Sequence, residues 1–504
     1  MTLVQTALGQ VHGSQSDGVH RFLGIPYAEP ISRDRRFLPA VPKSPWRGVF
    51  EATKYGATCI QTPMQGLFGL LSPSADTFGE DCLNVNVWTP DTRGSHPVLV
   101  WIHGGAYFAG SGSDLGYDGS SFAKNGVVCV TINYRLGAQG FLDLSAFDSR
   151  YESSGCLGIA DQVLALEWVR DHIADFGGDP TQVTIAGESA GAMAVSTLLG
   201  VPSAKGLFRS AIAQSGGAST VISKQTSGLV TQAIFEALEI DTPAALAGVS
   251  DDDLLAAQVE VMTAVRESLD TTRFGELAGS AMAFQPVFGT SVLPQKPLAA
   301  ISEGAAADIA LLQGMTRHEA PIFFYEMAEM LTPEFAAMMS APLVERLGLE
   351  PEAFQQYYHD ESLRSGFDAA GRVMSDMLFT VPIAQMLAAQ ARHSEHLWCY
   401  RFDWENPSFN GLLGAHHFIE IPFVFNQLSS PGAREFGLHV GPANLAIRTH
   451  LAWVAFVKNG NPNHEELISW PSMTQEQAYC MLFNNTCELG YLYEPEVLAL
   501  WSPK

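Results

Sequence analysis

Residues 183–199 constrain this chain more than any other stretch. Val183-Thr184-Ile185-Ala186 is a short apolar run of the kind that forms a buried strand. Residues 190–199 are small and apolar, with no helix breaker before Gly200. Between the two stands Gly187-Glu188-Ser189-Ala190-Gly191. A serine on so sharp a strand-to-helix turn is held in a strained backbone conformation, and the flanking glycines let neighbouring segments come close. Its hydroxyl is raised at the carboxyl edge of a sheet, over a helix N-terminus, which is where an acyl-transfer nucleophile works. G-x-S-x-G alone is a weak signal; the strand before and the helix after make it specific.

The rest of the chain repeats that alternation. Near-continuous apolar runs at 98–102, 127–132, 183–186, 211–213 and 309–312 suit strands buried on both faces, as in a mostly parallel sheet. Between them, residues 161–176 carry Val163, Leu166, Val169, Ile173 and Phe176 on one helical face, and Gly177-Gly178-Asp179-Pro180 ends the pattern. Strand and helix in alternation predict an α/β doubly wound fold. The stretch 242–392 is largely helical, rich in Ala, Leu and Met, and reads as insertions over the carboxyl edge of the sheet. No linker sets it apart, so residues 1–504 are expected to form one domain.

A formal charge of -25 argues against nucleic acid or an anionic membrane as partner. No apolar run approaches the roughly 18 residues that span a bilayer, and the first residues lack a signal-peptide pattern, so the expected location is cytoplasmic. The seven cysteines form no C-x-x-C pair and the histidines no H-E-x-x-H, so neither metal nor cofactor is implied.

A serine hydroxyl attacks only when a base takes its proton, and the base needs an orienting carboxylate. Glu319 is a good candidate for the acid because it follows the run at 309–313 and Gly314. For the base, His416 and His417 sit in a Gly-rich loop after the strand-like Cys399-Tyr400-Arg401-Phe402, and either could serve. An oxyanion needs backbone N–H donors. His103-Gly104-Gly105-Ala106 directly follows the run at 98–102, so Gly104 and Gly105 are candidates, with Ala190 completing the set. Gly110-x-Gly112-x-x-x-Gly116 has the wrong spacing for a dinucleotide loop.

With these residues in view, the chain resembles the type-B carboxylesterases, α/β-hydrolases whose members include the bacterial para-nitrobenzyl esterases. The resemblance rests on co-linear motifs: Phe22-Leu23-Gly24-Ile25-Pro26-Tyr27-Ala28-Glu29-Pro30, Glu80-Asp81-Cys82-Leu83-Asn84, His103-Gly104-Gly105, Asn133-Tyr134-Arg135-Leu136-Gly137, Phe176-Gly177-Gly178-Asp179-Pro180, the serine motif, Gln214-Ser215-Gly216 and Trp470-Pro471. It implies an α/β-hydrolase fold, with helices on both faces of a large, mostly parallel central sheet and helical insertions over the active site.

The resemblance also implies roles. It assigns the acid to Glu319 and the base to His417, three residues before Glu420 and ahead of Phe423-Val424-Phe425. Ser215 matches a serine that hydrogen-bonds within the catalytic network, and Arg36 with Glu80 and Arg135 with Asp161 match buried ion pairs. Cys59 and Cys82 match a disulfide of secreted relatives. Phe68, Leu70 and Leu71 are either core or the lining of an apolar gorge. Two departures stand out: the family's Asp-Glu-Gly is His318-Glu319-Ala320 here, and its Val-x-Asp-Gly turn is Val287-Phe288-Gly289-Thr290. No tryptophan lies between Cys59 and Cys82 to bind a quaternary ammonium, which disfavours choline esters. The expectation is a serine carboxylesterase for uncharged esters of short to medium acyl chains. The Gly104-Gly105-Ala106 loop leaves room for tertiary alcohols. Its expected partners are a small-molecule ester and water, the chain itself being a monomer or weak homo-oligomer.

Overall fold

The computed structural model describes residues 2–64, 66–69, 77–358 and 365–502, with the backbone alone at Leu115. The chain divides into two compact units, Met1–Ile212 with Ala218–Ile309, and Ala213–Gly217 with Ala310–Lys504. Among the described residues no helix is long and apolar enough to cross a membrane.

In the first unit, β1 (Thr2–Thr6), β2 (Gly9–Ser16), β3 (Val19–Pro26), β4 (Val49–Glu51), β5 (Asn84–Thr89), β6 (His96–Ile102), β7 (Val128–Ile132), β8 (Gly178–Glu188) and β9 (Ser210–Gln214) form a sheet. Its order is β1-β2-β3-β5-β7-β6-β8-β9, with β4 paired to β2. β9 runs on into the second unit with Ala213 and Gln214. β1, β2, β3, β5 and β7 pair antiparallel in that order and β4 joins β2 in parallel, whereas β6 pairs parallel with both β7 and β8, Val100 standing opposite Val130 and Ile185. Residues 98–102 and 128–130 are fully buried, so the continuous apolar runs are strands covered on both faces.

Helix α1 (Leu157–His172) lies against β8 and buries Ile159, Leu166 and Val169, tightens into a 3-10 turn at Ile173–Phe176, and stops at left-handed Gly177. Its Asp161 holds the buried Arg135 by two side-chain bonds of 2.6 and 2.7 Å. Arg36 behaves differently from the expectation. Glu80 is exposed, and Arg36 donates instead to Asp251 at 2.5 Å and to the Val249 carbonyl at 2.9 Å. Sequence distance hid this partner, since Asp251 opens a helix more than two hundred residues on.

In the second unit, β12 (Ala310–Thr316), β13 (Leu397–Phe402) and β14 (Cys480–Phe483) pair in parallel, and β15 (Glu488–Gly490) closes the edge antiparallel. The first unit also has a small parallel pair, β10 (Ile222–Ser223) with β11 (Val287–Phe288). Around β12 to β15 are helices α2 (Pro333–Leu347), α3 (Gly366–Ser375), α4 (Val381–Gln390) and α5 (Ala443–Asn459). A single π-helical turn, Asp376–Thr380, joins α3 to α4.

Candidate active site

The nucleophile candidate lies in the first unit. β8 ends at Glu188, a helix begins at Ala190, and Ser189 between them takes φ 56° and ψ -125°. Such torsions are costly for a residue with a Cβ, and they turn the side chain out of both elements. The turn closes tightly because Gly191 lacks a side chain: a Cβ there would stand 2.1 Å from the Ile102 carbonyl oxygen. Ala190 is the first residue of the helix, so its N–H is one of those left without an intrahelical acceptor.

The loop after β6 runs beside this turn. A Cβ on Gly104 would lie 3.1 Å from that of Ser189. Gly105 takes φ 107°, and a Cβ on it would come within 2.2 Å of the Ala109 carbonyl oxygen, so this position requires glycine. Ala106 and Tyr107 follow with φ of 52° and 63°. The His103 imidazole donates from Nδ1 to the Gly104 carbonyl at 2.8 Å. A trans peptide points its C=O and N–H in opposite directions, so this bond aims the Gly105 N–H away from His103. His103 is stacked on Tyr134 with 4.5 Å between centroids, and burial pushes its pKa down to about 4, so it stays neutral.

The acid and base candidates meet in the second unit. Glu319 is fully buried just after β12. Its Oε1 accepts from the Ser215 hydroxyl at 2.5 Å and from the Thr316 N–H at 2.8 Å. Its Oε2 accepts from His417 Nδ1. A carboxylate only accepts, so Nδ1 carries the proton in the neutral ring and Nε2 is the basic nitrogen. Phe379, Phe323 and Phe418 pack around the imidazole at 4.8, 5.4 and 6.0 Å between centroids.

His416 has a different environment. It is completely buried, and its Nδ1 donates to the His417 carbonyl at 2.7 Å. Its Nε2 faces Asn406 Nδ2 at 3.5 Å, and burial pushes its pKa down to about 4. The two alternatives for the base are thus separated by what they touch: only His417 meets a carboxylate.

Glu420 was read from the sequence only as a marker for aligning the base. It is fully buried, and its Oε1 accepts from Gln214 Nε2 at 3.2 Å and from the Tyr400 hydroxyl at 3.4 Å. Burial, then the charge of Glu319, pushes its carboxyl up to about 7. A glutamate in an otherwise apolar run, Phe418 to Phe425, was the available signal. Phe379 had none, since its place follows from the π turn.

Phe68 is half-buried in the single turn Gly66–Gly69, while Leu70 and Leu71 lie outside the described residues. Cys59 and Cys82 are buried thiols with sulfurs 2.8 Å apart. Among the described residues no group of three or more His, Cys, Asp or Glu is placed to hold a metal ion.

Comparison with known proteins gives this arrangement a context. The sequence profile of the Carboxylesterase family matches residues 1–501. The para-nitrobenzyl esterase of Bacillus subtilis (strain 168) is 38% identical over 98% of this chain and 96% of its own length. The phenmedipham hydrolase of Pseudarthrobacter oxydans is 34% identical over 93% of this chain and 92% of its own. Among solved structures, a Geobacillus stearothermophilus carboxylesterase at pH 6.2 superposes with a TM-score of 0.86 at 34% identity, covering 100% of both chains.

Proposed function

The chain belongs to the carboxylesterase family of α/β-hydrolase fold and is a carboxylic ester hydrolase, and we propose that it works through a Ser189–His417–Glu319 triad. In this reading Ser189 Oγ attacks the ester carbonyl carbon while His417 Nε2 takes its proton. Glu319 holds the imidazole in the required tautomer and stabilises the imidazolium. The N–H groups of Gly104, Gly105 and Ala190 receive the oxyanion. The C–O bond to the alcohol breaks as His417 returns the proton to the leaving oxygen. Water then attacks the acyl-enzyme by the same route and frees the acid.

The observation that carries the reading is the buried bond from His417 Nδ1 to Glu319, whose other oxygen is held by Ser215 and the Thr316 N–H. A histidine held to a buried carboxylate through Nδ1 is fixed in the tautomer whose basic nitrogen is Nε2. The strained Ser189 supplies the second support. Residues 1–504 are taken as one catalytic domain with the largely helical stretch 242–392 as an insertion.

For substrates, the reading is uncharged esters of short to medium acyl chains, tertiary-alcohol esters included. The tertiary-alcohol part rests on the Gly104-Gly105-Ala106 loop, in which Gly105 at φ 107° lets the backbone turn sharply while two successive residues carry no side chain. The test is a panel of p-nitrophenyl acyl esters with the matching anilides, followed by ethyl and tert-butyl acetate. Ester turnover that disappears in Ser189→Ala is expected, with slower but measurable tert-butyl acetate cleavage. Tertiary turnover no higher than in that variant would remove the tertiary-alcohol assignment and leave the esterase assignment standing.

A further inference from the structure

Position 318 is where the chain departs from the Asp-Glu-Gly expected of its relatives, and the structure gives its imidazole a specific partner. Besides the bond of His417 Nδ1 to the Glu319 carboxylate, three hydrogen bonds join the segment carrying Glu319 to the segment carrying His417. The His318 N–H donates to the Ala415 carbonyl at 3.0 Å, and the His417 N–H donates to the Glu319 carbonyl at 3.3 Å. The third is made by a side chain: the Ala415 N–H donates to His318 Nδ1 at 3.1 Å. His318 and His416 also form a parallel β-bridge. Gly414, at φ 56°, brings the chain so close that a Cβ on it would stand 2.5 Å from His318 Nδ1.

We propose that His318 is a positioning residue whose neutral imidazole clasps Ala415 and so keeps His417 aligned with Glu319, and that protonation opens the clasp. The proposal rests on His417 being the base. A backbone N–H can only donate, so Nδ1 must offer its lone pair. When His318 gains a second proton, Nδ1–H faces the Ala415 N–H, and one of three bonds becomes a repulsion. Ala415 is two residues from His417, so the imidazole of the base shifts with it while the substrate-binding surfaces do not.

The surroundings keep His318 neutral under ordinary conditions. Burial pushes its pKa down, and the adjacent Arg317 adds to this. Glu405 and Asp403 act the other way, while Arg401 lowers it again. Asp403 is itself paired with Arg401 through bonds of 2.7 and 2.8 Å. The clasp is therefore closed at neutral pH and opens on the acid side.

Two variants of the full chain test this. His318→Leu cannot accept a hydrogen bond and is expected to lower kcat by about tenfold with KM within about twofold. His318→Asn puts an oxygen near the place of Nδ1 and does not titrate, so it should recover to within about threefold of wild type near pH 8. The deciding quantity is the kcat/KM of His318→Asn divided by that of wild type, followed from about pH 8 to about pH 5. Any group that titrates in both proteins, His417 and Glu420 included, cancels in this ratio. A ratio that climbs as pH falls supports the clasp. A flat ratio overturns it, as does a His318→Leu enzyme with wild-type kcat. If His318→Leu fails to fold, the ratio alone decides. Failure of the triad reading would look different, as full activity in His417→Gln.

Discussion

The proposed nucleophile region of the first unit and the proposed acid–base region of the second are built on opposite principles. Ser189 is set by a contiguous stretch of backbone. β8 leads in, a helix leads out, and the torsions at Ser189 are fixed because Gly191 lies against the end of β6. Glu319 and His417 lie 98 residues apart, and Ser215 is 104 residues from Glu319; side-chain hydrogen bonds bring them together. The first arrangement is set by backbone torsions, with Glu188 the ionisable residue inside its turn. The second joins two ionisable side chains, Glu319 and His417, through hydrogen bonds that Ser215 and the Thr316 N–H complete. Backbone strain fixes Ser189 by local geometry, while a hydrogen-bonded network can be tuned and is correspondingly vulnerable.

The largest expected effects break each region at its centre. Ser189→Ala should lower kcat by about 10⁴-fold or more, and His417→Gln nearly as far, with both proteins folded. Stopped ester assays on p-nitrophenyl acetate, with circular dichroism as the fold control, measure this. An organophosphate should label Ser189 alone. A Ser189→Ala enzyme with about a tenth of wild-type activity would end the comparison, because the strained turn would then have no chemical purpose.

Next comes the scaffold of the first unit. Arg135 and Asp161 are both buried, and the pair also takes the Arg135 N–H at 3.0 Å and the Leu38 carbonyl at 2.7 Å. Asp161→Asn leaves a guanidinium uncompensated in the interior, and should cost about 3–5 kcal/mol. Urea unfolding reads it directly. A loss under about 1 kcal/mol would mean that the Leu38 carbonyl and its neighbours already satisfy the charge.

How much of this the sequence disclosed follows the same division. The elbow was legible because every residue that makes it is local, and the strands at 98–102 and 183–186 were legible because burial on both faces forces continuous apolar runs. The Gly104-Gly105 loop was visible for the same reason, as glycines directly after a strand. The antiparallel β1 to β3 were not found, since a strand with mixed exposure such as Gly9–Ser16 carries a broken pattern. Spacing alone left His416 and His417 equivalent, and only family resemblance separated them. Neither Asp251 as the partner of Arg36 nor Gln214 as that of Glu420 could be read, because a long-range polar pair leaves no periodicity.

A smaller effect sharpens the contrast between adjacent histidines. His416 acts through backbone, donating to the carbonyl of His417. His416→Gln keeps a donor of different reach, so a loss of about tenfold or less is expected, mostly in kcat. With its pKa near 4, His416 should contribute no step to the activity profile above about pH 5. If His416→Gln instead matched His417→Gln, the division of labour between a titrating base and a neutral support would be wrong.

The smallest expected effect probes the network's electrostatics at Glu420. Trp453 Nε1 holds Gln214 at 2.7 Å, so Gln214 presents its amide to Glu420. Burial and the neighbouring charge of Glu319 raise the Glu420 carboxyl to about 7, above its value in an unfolded chain. The neutral acid therefore contributes stability that is fully present at low pH and is lost as pH rises through about 7. Above that point a second buried negative charge favours the imidazolium form of His417 and delays the release of the free base. Glutamine keeps the shape of the neutral acid without its charge. Glu420→Gln should therefore move the acidic limb of kcat/KM to lower pH, by less than about one unit, with kcat within about threefold. Its Tm should exceed that of wild type near pH 8 and converge with it near pH 5, both values being about those that bracket the titration. If neither the limb nor the Tm difference responds to pH, Glu420 does not ionise beside Glu319, and the acid–base region is less tunable than its hydrogen bonds imply.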